Sequence, residues 1–172
     1  MEDLNIKQLT LALRTIAEEK NLPEETVLEV IEQAIAAAWR RDNGDRDQLV
    51  RASLNINNGT AKVSVVKTVV EEVENDKNQI SLDEAKNLDQ TAELGDEVVI
   101  STHEVTTFGR VAAQTAKQVI LQRLREAERE VVLAEFEDKI GTVVTGTIQR
   151  VEPRVVRIEL GKAVGKIGRA HV

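Results

Sequence analysis

Hydrophobic positions change their period several times along this chain, and each change marks an element. Leu9, Ala12, Leu13 and Ile16 recur at three- and four-residue intervals and predict a first helix over about residues 3–19. "NLPEETV" restarts the chain. Pro23 suits the first helical position, where an N–H would lack an intrahelical partner, and Glu24 and Glu25 complement the positive end of the helix dipole. Val27, Ile31, Ala34 and Ala38, flanked by Leu28, Ile35 and Trp39, then make a wide apolar stripe to about Arg41. The two helices are expected to pack as a hairpin.

Asn43-Gly44 signals a turn, and from Leu49 the period becomes two. Val50, Ala52, Leu54 and Ile56 alternate with Arg51, Ser53 and Asn55; after the Asn-Gly turn in "NNGT", Ala61, Val63 and Val65 alternate with Lys62 and Ser64. This is a β-hairpin, with "VVEEVE" extending its second strand. "SLDEAKNL" has the Ser-x-x-Glu form of a capping box, Ser81 bonding the Glu84 amide and Glu84 reaching back, so a short helix is expected there, and "LGDEVVISTHEV" reads as a third strand from about Glu97 to about Val105.

"FGRVAAQTAKQVILQRLREAERE" follows, and predicts a long helix capped by Thr106 or Thr107. Phe108, Val111, Ala112, Thr115, Val119, Leu124, Ala127 and Val131 form a drifting apolar stripe. Arg110, Gln114, Lys117, Leu121, Arg125 and Arg129 follow a different, mostly polar one. A helix of ~28 residues is roughly 40 Å long, so part of it is expected to project from a domain of this size. From Gly141, "GTVVTGTIQRV", a break at "EPR" and "VVRIELG" read as the first two strands of a small barrel. Too little chain follows to close a five-stranded OB-type barrel.

The pattern therefore predicts an α+β fold: a helical hairpin and a long connecting helix packed with a small three-stranded sheet, followed by an incomplete OB-like β segment. The expected division is residues 1–137 and 138–172. The chain reads as a fragment, and "GRAHV" at its end reads either as native sequence or as a foreign tail.

Composition narrows the chemistry. Apolar residues make up 41% and charged residues 31%, as in soluble globular proteins, while aromatics at 2% leave the core to Val, Ile, Leu and Ala. Absence of cysteine removes disulfides, thiol catalysis and cysteine-ligated metals. No apolar run reaches the roughly 20 residues of a membrane span, and "MEDLNIKQLT" lacks a signal peptide's basic start and apolar stretch, so no membrane partner and a cytoplasmic location are expected.

His103 and His171 lack metal-ligand spacing, and His103 is expected to be structural or solvated. "GTVVTGT" and "LGKAVGKIG" lack the Gly-Lys-Ser/Thr that cradles phosphates, and their glycines read as turn or bulge positions. The acidic clusters Glu18-Glu19, Glu24-Glu25 and Glu71-Glu72 read as solvated faces; a hydrolase would need two of them close together with one pKa raised. No cofactor, no metal and no enzymatic activity are expected.

Charge points instead to binding. Residues 1–107 carry 11 Lys+Arg against 22 Asp+Glu, whereas residues 108–172 carry 12 against 8. The sign changes where the long helix begins, and the basic part is able to attract nucleic acid. The candidates are the helix stripe Arg110, Gln114, Lys117 and Arg125, with Arg40 and Arg41 at the end of the second helix. The plain alternative is a solvated helix face and simple capping of a helix C-terminus by cations.

"TFGRVAAQTAKQVILQRLREAERE" closely resembles the sequence that closes the N-terminal domain of the NusA family of bacterial transcription factors. "LPEETVLEVIEQAIAAAWRR" is similar to that family's second helix, and "GTVVTGTIQRVEPRVVRIELGKAVG" to the start of its OB-type RNA-binding barrel. The resemblance covers nearly the whole chain. It implies an elongation factor that binds RNA polymerase near the flap bordering the RNA exit channel, prolongs pausing, and takes part in termination and antitermination with nascent RNA and other elongation and antitermination factors. It also implies that Arg110 and Lys117 face the emerging RNA and the polymerase, and that Arg40 and Arg41 match the family's basic end of helix two. Gln114 and Arg125 rest on the stripe alone. Asp42 departs from the family, where an aromatic commonly follows the basic pair. The alternative is a stand-alone OB-type protein binding single-stranded RNA, with an affinity that falls steeply with salt.

Overall fold

Asn5 starts the first helix by accepting a hydrogen bond from the Lys7 amide at 2.9 Å, and Asn21, in the left-handed conformation at φ 52°, ends it. The computed structural model, which describes residues 4–43, 47–161 and 163–168, places this helix, α1, at Ile6–Lys20, behind a two-residue strand β1 at Leu4–Asn5. After the left-handed residue the Leu22 amide reaches back to the Ala17 carbonyl at 3.0 Å, a Schellman closure, and Leu22 itself is buried. That turn sends the chain back as α2, Glu24–Asn43, with the Pro23 carbonyl accepting from Val27 one residue ahead of the first helical position. Val27, Ile31, Ala34, Ile35 and Ala38 are fully buried along it, as the stripe predicts. The predicted Asn43-Gly44 turn extends outside the described residues.

The sheet has β3, Thr60–Val70, at its centre. Along one side runs β5, Glu97–Val105, antiparallel; along the other lie β2, Leu49–Asn55, antiparallel, and β4, Gln79–Ser81, parallel. The sheet thus has four strands where three were expected, and β3 ends at Val70 before the acidic "EEVE". A three-residue strand offers too few positions to show a period. The β5 register slips beside Val65/Val66, leaving Ile100 as an unpaired bulge residue. Ala61, Val63 and Val65 turn inward, and α1 and α2 lie against the sheet. Glu32 on α2 accepts the Leu54 amide at 2.8 Å, tying helix to strand.

Helix α3, Leu82–Leu88, is capped by Ser81 as predicted, the Glu84 amide lying 3.4 Å from its hydroxyl. The return contact differs: the Glu84 carboxylate accepts from that same hydroxyl at 3.1 Å. Val69, Ile80, Ala85, Ala92 and Val98 form a second small core beneath α3.

A short strand β6, Thr107–Phe108, pairs with β1, and the Ile6 amide donates to the Thr106 carbonyl at 3.0 Å. Thr106 and Thr107 are therefore occupied by this ladder and do not cap the next helix. Gly109 precedes α4, Arg110–Glu137, and its carbonyl accepts from Ala113 at 2.8 Å. In α4 the buried residues are Ala112, Ala113, Ala116 and Leu124. Val111 and Val131, placed in the apolar stripe from sequence, are exposed. Small alanines let a helix approach its neighbours closely, and that selects the packed face over side-chain size.

Contacts divide the chain into two units, Met1–Arg125 and Glu126–Val172. In the second, β7 (Thr147–Val151), β8 (Val155–Leu160) and β9 (Ala163–Gly168) form an antiparallel meander, one strand more than the sequence indicated. Arg157 donates to Glu152 at 3.0 Å across the β7–β8 turn. The closing "GRAHV", apart from Gly168, and with it His171, lies outside the described residues.

Candidate nucleic-acid interface

The last turn of α2 carries Arg40 and Arg41, and the first turn of α4 carries Arg110 with no acidic residue. Two devices bring these helix ends together. The β1–β6 ladder fixes where α4 starts, with Phe108 buried at 3% exposure, and β6 lies against α2. At the other end Trp39 is buried, its ring centroid lies 5.5 Å from that of His103 on β5, and its carbonyl accepts from the Asn43 side chain at 2.9 Å. His103 thus packs on the indole, a structural contact, and Ser101 Oγ lies 3.3 Å from its ring nitrogen.

Between the helix ends lies an open groove of about 820 Å³. Arg40, Arg41, Arg110 and Gln114 all line it, four of the six residues singled out from sequence. Ala37 and Val111 form part of its apolar wall, and Thr115 and Gln118 extend its polar side along α4. Sequence reasoning missed these four; their spacing from Arg41, Arg110 and Gln114 by one or four residues was the available signal. Thr115 turns its hydroxyl to the Val111 carbonyl at 3.2 Å. Lys117 and Arg125 are exposed but are not part of the groove lining.

The charged side chains that line the groove are all of one sign, while the end of α2 brings the negative pole of its helix dipole. Among the described residues no carboxylate lines it, and none forms an ion pair with Arg40, Arg41 or Arg110. Arg41 and Arg110 are exposed and Arg40 is half-buried. The dipole of α4 adds positive potential at its start, where Arg110 stands. Guanidinium groups bind phosphate oxygens through paired, charge-assisted hydrogen bonds, and Gln side chains supply further phosphate or sugar contacts. The groove can hold an extended anion. By contrast Glu18, Glu19, Glu24, Glu25, Glu71 and Glu72 are all exposed.

One partly exposed ion pair lies nearby. Arg51 on β2 grips Glu97 on β5 with both ends of its guanidinium, Nε to Oε2 at 2.9 Å and a second, shorter bond to Oε1. The hydrogen bonds raise the arginine pKa and hold the Glu97 carboxyl below its ordinary value.

The NusA N-terminal domain family matches residues 8–130. The transcription termination/antitermination protein NusA of Halalkalibacterium halodurans is 44% identical over 153 residues, 88% of this chain and 39% of that protein. Its namesake in Bacillus subtilis is 41% identical over 157 residues, 90% and 41%, and that of Rickettsia conorii 32% identical over 163 residues, 95% and 32%. The solution structure of the N-terminal domain of NusA from B. subtilis is 41% identical, covers 72% of this chain and 98% of its own, and superposes with a TM-score of 0.46. The chain thus spans about two fifths of the length of the Halalkalibacterium and Bacillus relatives. With a family match over residues 8–130, the chain belongs to the NusA N-terminal domain family.

Proposed function

We propose that this protein binds RNA polymerase near the flap at the RNA exit channel and holds the emerging transcript in the groove between α2 and α4. In this reading it modulates pausing, termination and antitermination by contact, without catalysis or cofactor, in the cytoplasm and alongside other elongation and antitermination factors. The observation that carries it is the convergence of Arg40, Arg41 and Arg110 on one groove that, among the described residues, no carboxylate lines. The relatives' names, which refer to termination and antitermination, agree with it. Residues 1–137 form the polymerase-binding part and 138–172 the start of an OB-type barrel.

Lys117 fits the same reading from outside the groove. It lies within about 20° of Arg110 around the helix axis, two turns along α4, where it extends the charged surface toward the polymerase. Transcription with purified polymerase tests the proposal. The protein should lengthen dwell at a hairpin pause, and deleting the flap should abolish both the effect and the binding. Arg110→Ala combined with Lys117→Ala should shorten the pause while leaving melting unchanged, since both side chains are exposed. Unchanged dwell with wild-type protein would sink the reading, and a large loss of stability in the double variant would make those residues structural.

A further inference from the structure

Positive charge in the groove is bunched rather than spread along it. Arg40 and Arg41 are neighbours in the last turn of α2, and Arg110 is the first residue of α4. Beyond Arg110 the α4 side of the lining turns neutral: Gln114 and Gln118 follow at about 6 and 12 Å along the axis, while Lys117 falls outside. Among the described residues none of the three arginines forms an ion pair. The positive end of α4 meets the same groove and offsets the negative end of α2. An internal stretch of nucleic acid fits such a lining poorly. It carries one charge per nucleotide, so it meets three bunched arginines only when three successive phosphates are drawn together against their own repulsion. A triphosphate brings three phosphoryl groups already joined, and its terminal one, like other phosphate monoesters, carries close to two charges near pH 7.

We propose that the groove takes the 5′-triphosphate end of an RNA, with its phosphoryl groups on Arg40, Arg41 and Arg110 and its first nucleotides running along Gln114 and Gln118. Each guanidinium fork grips phosphoryl oxygens through paired, charge-assisted hydrogen bonds. The two amides, each with donors and an acceptor, suit the sugar hydroxyls and singly charged phosphodiesters that follow. A volume of about 820 Å³ lies within the range of sites that hold ligands of nucleotide size. Any triphosphate shares the chemistry of the arginine end. The RNA end is favoured because the neutral lining beyond the arginines offers its chain a continuation. The inference rests on the phosphate-binding reading of the groove.

The test uses the whole 172-residue chain and fluorescence anisotropy at low salt without magnesium. Three RNAs labelled at the 3′ end are compared: an octamer with a 5′-triphosphate, the same octamer with a 5′-hydroxyl, and a 5′-hydroxyl dodecamer of nearly the same total charge as the first. The triphosphate octamer should bind at least about 10-fold tighter than the hydroxyl octamer, the value of one charge-assisted hydrogen bond, and tighter than the dodecamer as well. Arg41→Gln and Arg110→Gln, made separately, should each lower the ratio between the octamers at least about 3-fold. Lys117→Gln, outside the lining, should weaken both octamers alike and leave that ratio unchanged. A ratio is insensitive to any unfolded fraction of a variant. Inorganic triphosphate should displace the triphosphate octamer only at a concentration at least about 10-fold above that of the unlabelled octamer. Equal affinity for the two octamers, or a dodecamer that matches the triphosphate octamer, overturns the end site and leaves the phosphate groove standing. A ratio untouched by both arginine variants overturns its location. Displacement by inorganic triphosphate as readily as by the octamer overturns the RNA end as the ligand. If none of the RNAs binds, the phosphate reading falls and the end site with it.

Discussion

Neutralising the groove should flatten the salt dependence of RNA binding by a calculable amount. Each phosphate held on a cation releases condensed counterions, contributing a slope of about −0.7 in log affinity against log salt for a single strand. Three arginines line the groove, so it accounts for a slope of about −2. Raising salt from about 50 to 200 mM should then weaken the wild-type protein about 15- to 20-fold through this site alone. The variant Arg40→Gln, Arg41→Gln, Arg110→Gln should lose that dependence. Its stability should fall by about 0.3–1 kcal/mol, leaving it folded. Arg40 and Arg41 stand at the negative end of α2, where each contributes about 0.3–1 kcal/mol, but Arg110 stands at the positive end of α4, where its removal returns a similar amount. The assay is anisotropy of a labelled single-stranded RNA over a salt series, with thermal melting of the same samples. If the triple variant keeps a slope near −2 while folded, the phosphates lie elsewhere and the groove is not the RNA site.

Other expectations concern the fold. Ile35→Ala removes a side chain with 0% exposure from the face of α2 that meets the sheet, and should cost about 2–5 kcal/mol by denaturant unfolding. Gly59 sits at φ +64° in the β2–β3 turn, and an added Cβ would stand 2.9 Å from the Lys7 Cβ on α1. Gly59→Ala should therefore cost more than about 1 kcal/mol, seen as a lowered melting temperature. Glu97 has its pKa lowered by the Arg51 hydrogen bonds, so its contribution is present above the ordinary carboxylate range and lost as pH falls through the lowered value. Glu97→Gln should flatten stability against pH only on that acid side. The effect should stay below about 1 kcal/mol because the pair is partly exposed, and an unchanged acid limb would show that the pair contributes nothing.

Elements with many repeats of one period were legible in the sequence. β5 falls at Glu97–Val105 as expected, and the α1–α2 and β2–β3 hairpins stand where the apolar pattern and the Asn-Gly turn place them. Shorter elements were not. β1, β4 and β6 have two or three residues each, and they exist because distant backbone offers them partners: Leu4 meets Phe108 and Val69 meets Ile80. The Thr106-Thr107 cap fails for the same reason, since a ladder claims residues that local chemistry assigns to a helix start.

The groove obeys a similar logic. Arg40 and Arg41 were chosen as the end of one helix, and Arg110, Gln114, Lys117 and Arg125 as the stripe of another; nothing local joins the two sets across some 70 residues of chain. What joins them is the β1–β6 pairing, which sets the start of α4, and the Trp39–His103 contact, which holds the end of α2. A site made by two helix ends selects by distance from their meeting point as well as by helical phase. Gln114 and Gln118 lie about 40° and 80° around the axis from Arg110 and line the groove; Lys117 lies about 20° to the other side of Arg110 and falls outside the lining, and Arg125, in phase with the lining, is about 22 Å along the axis. A stripe read from sequence therefore overstates the length of the site along α4. It also misses the site's width, because Ala37, Val111 and Gln118 become lining only when α2 and α4 stand side by side.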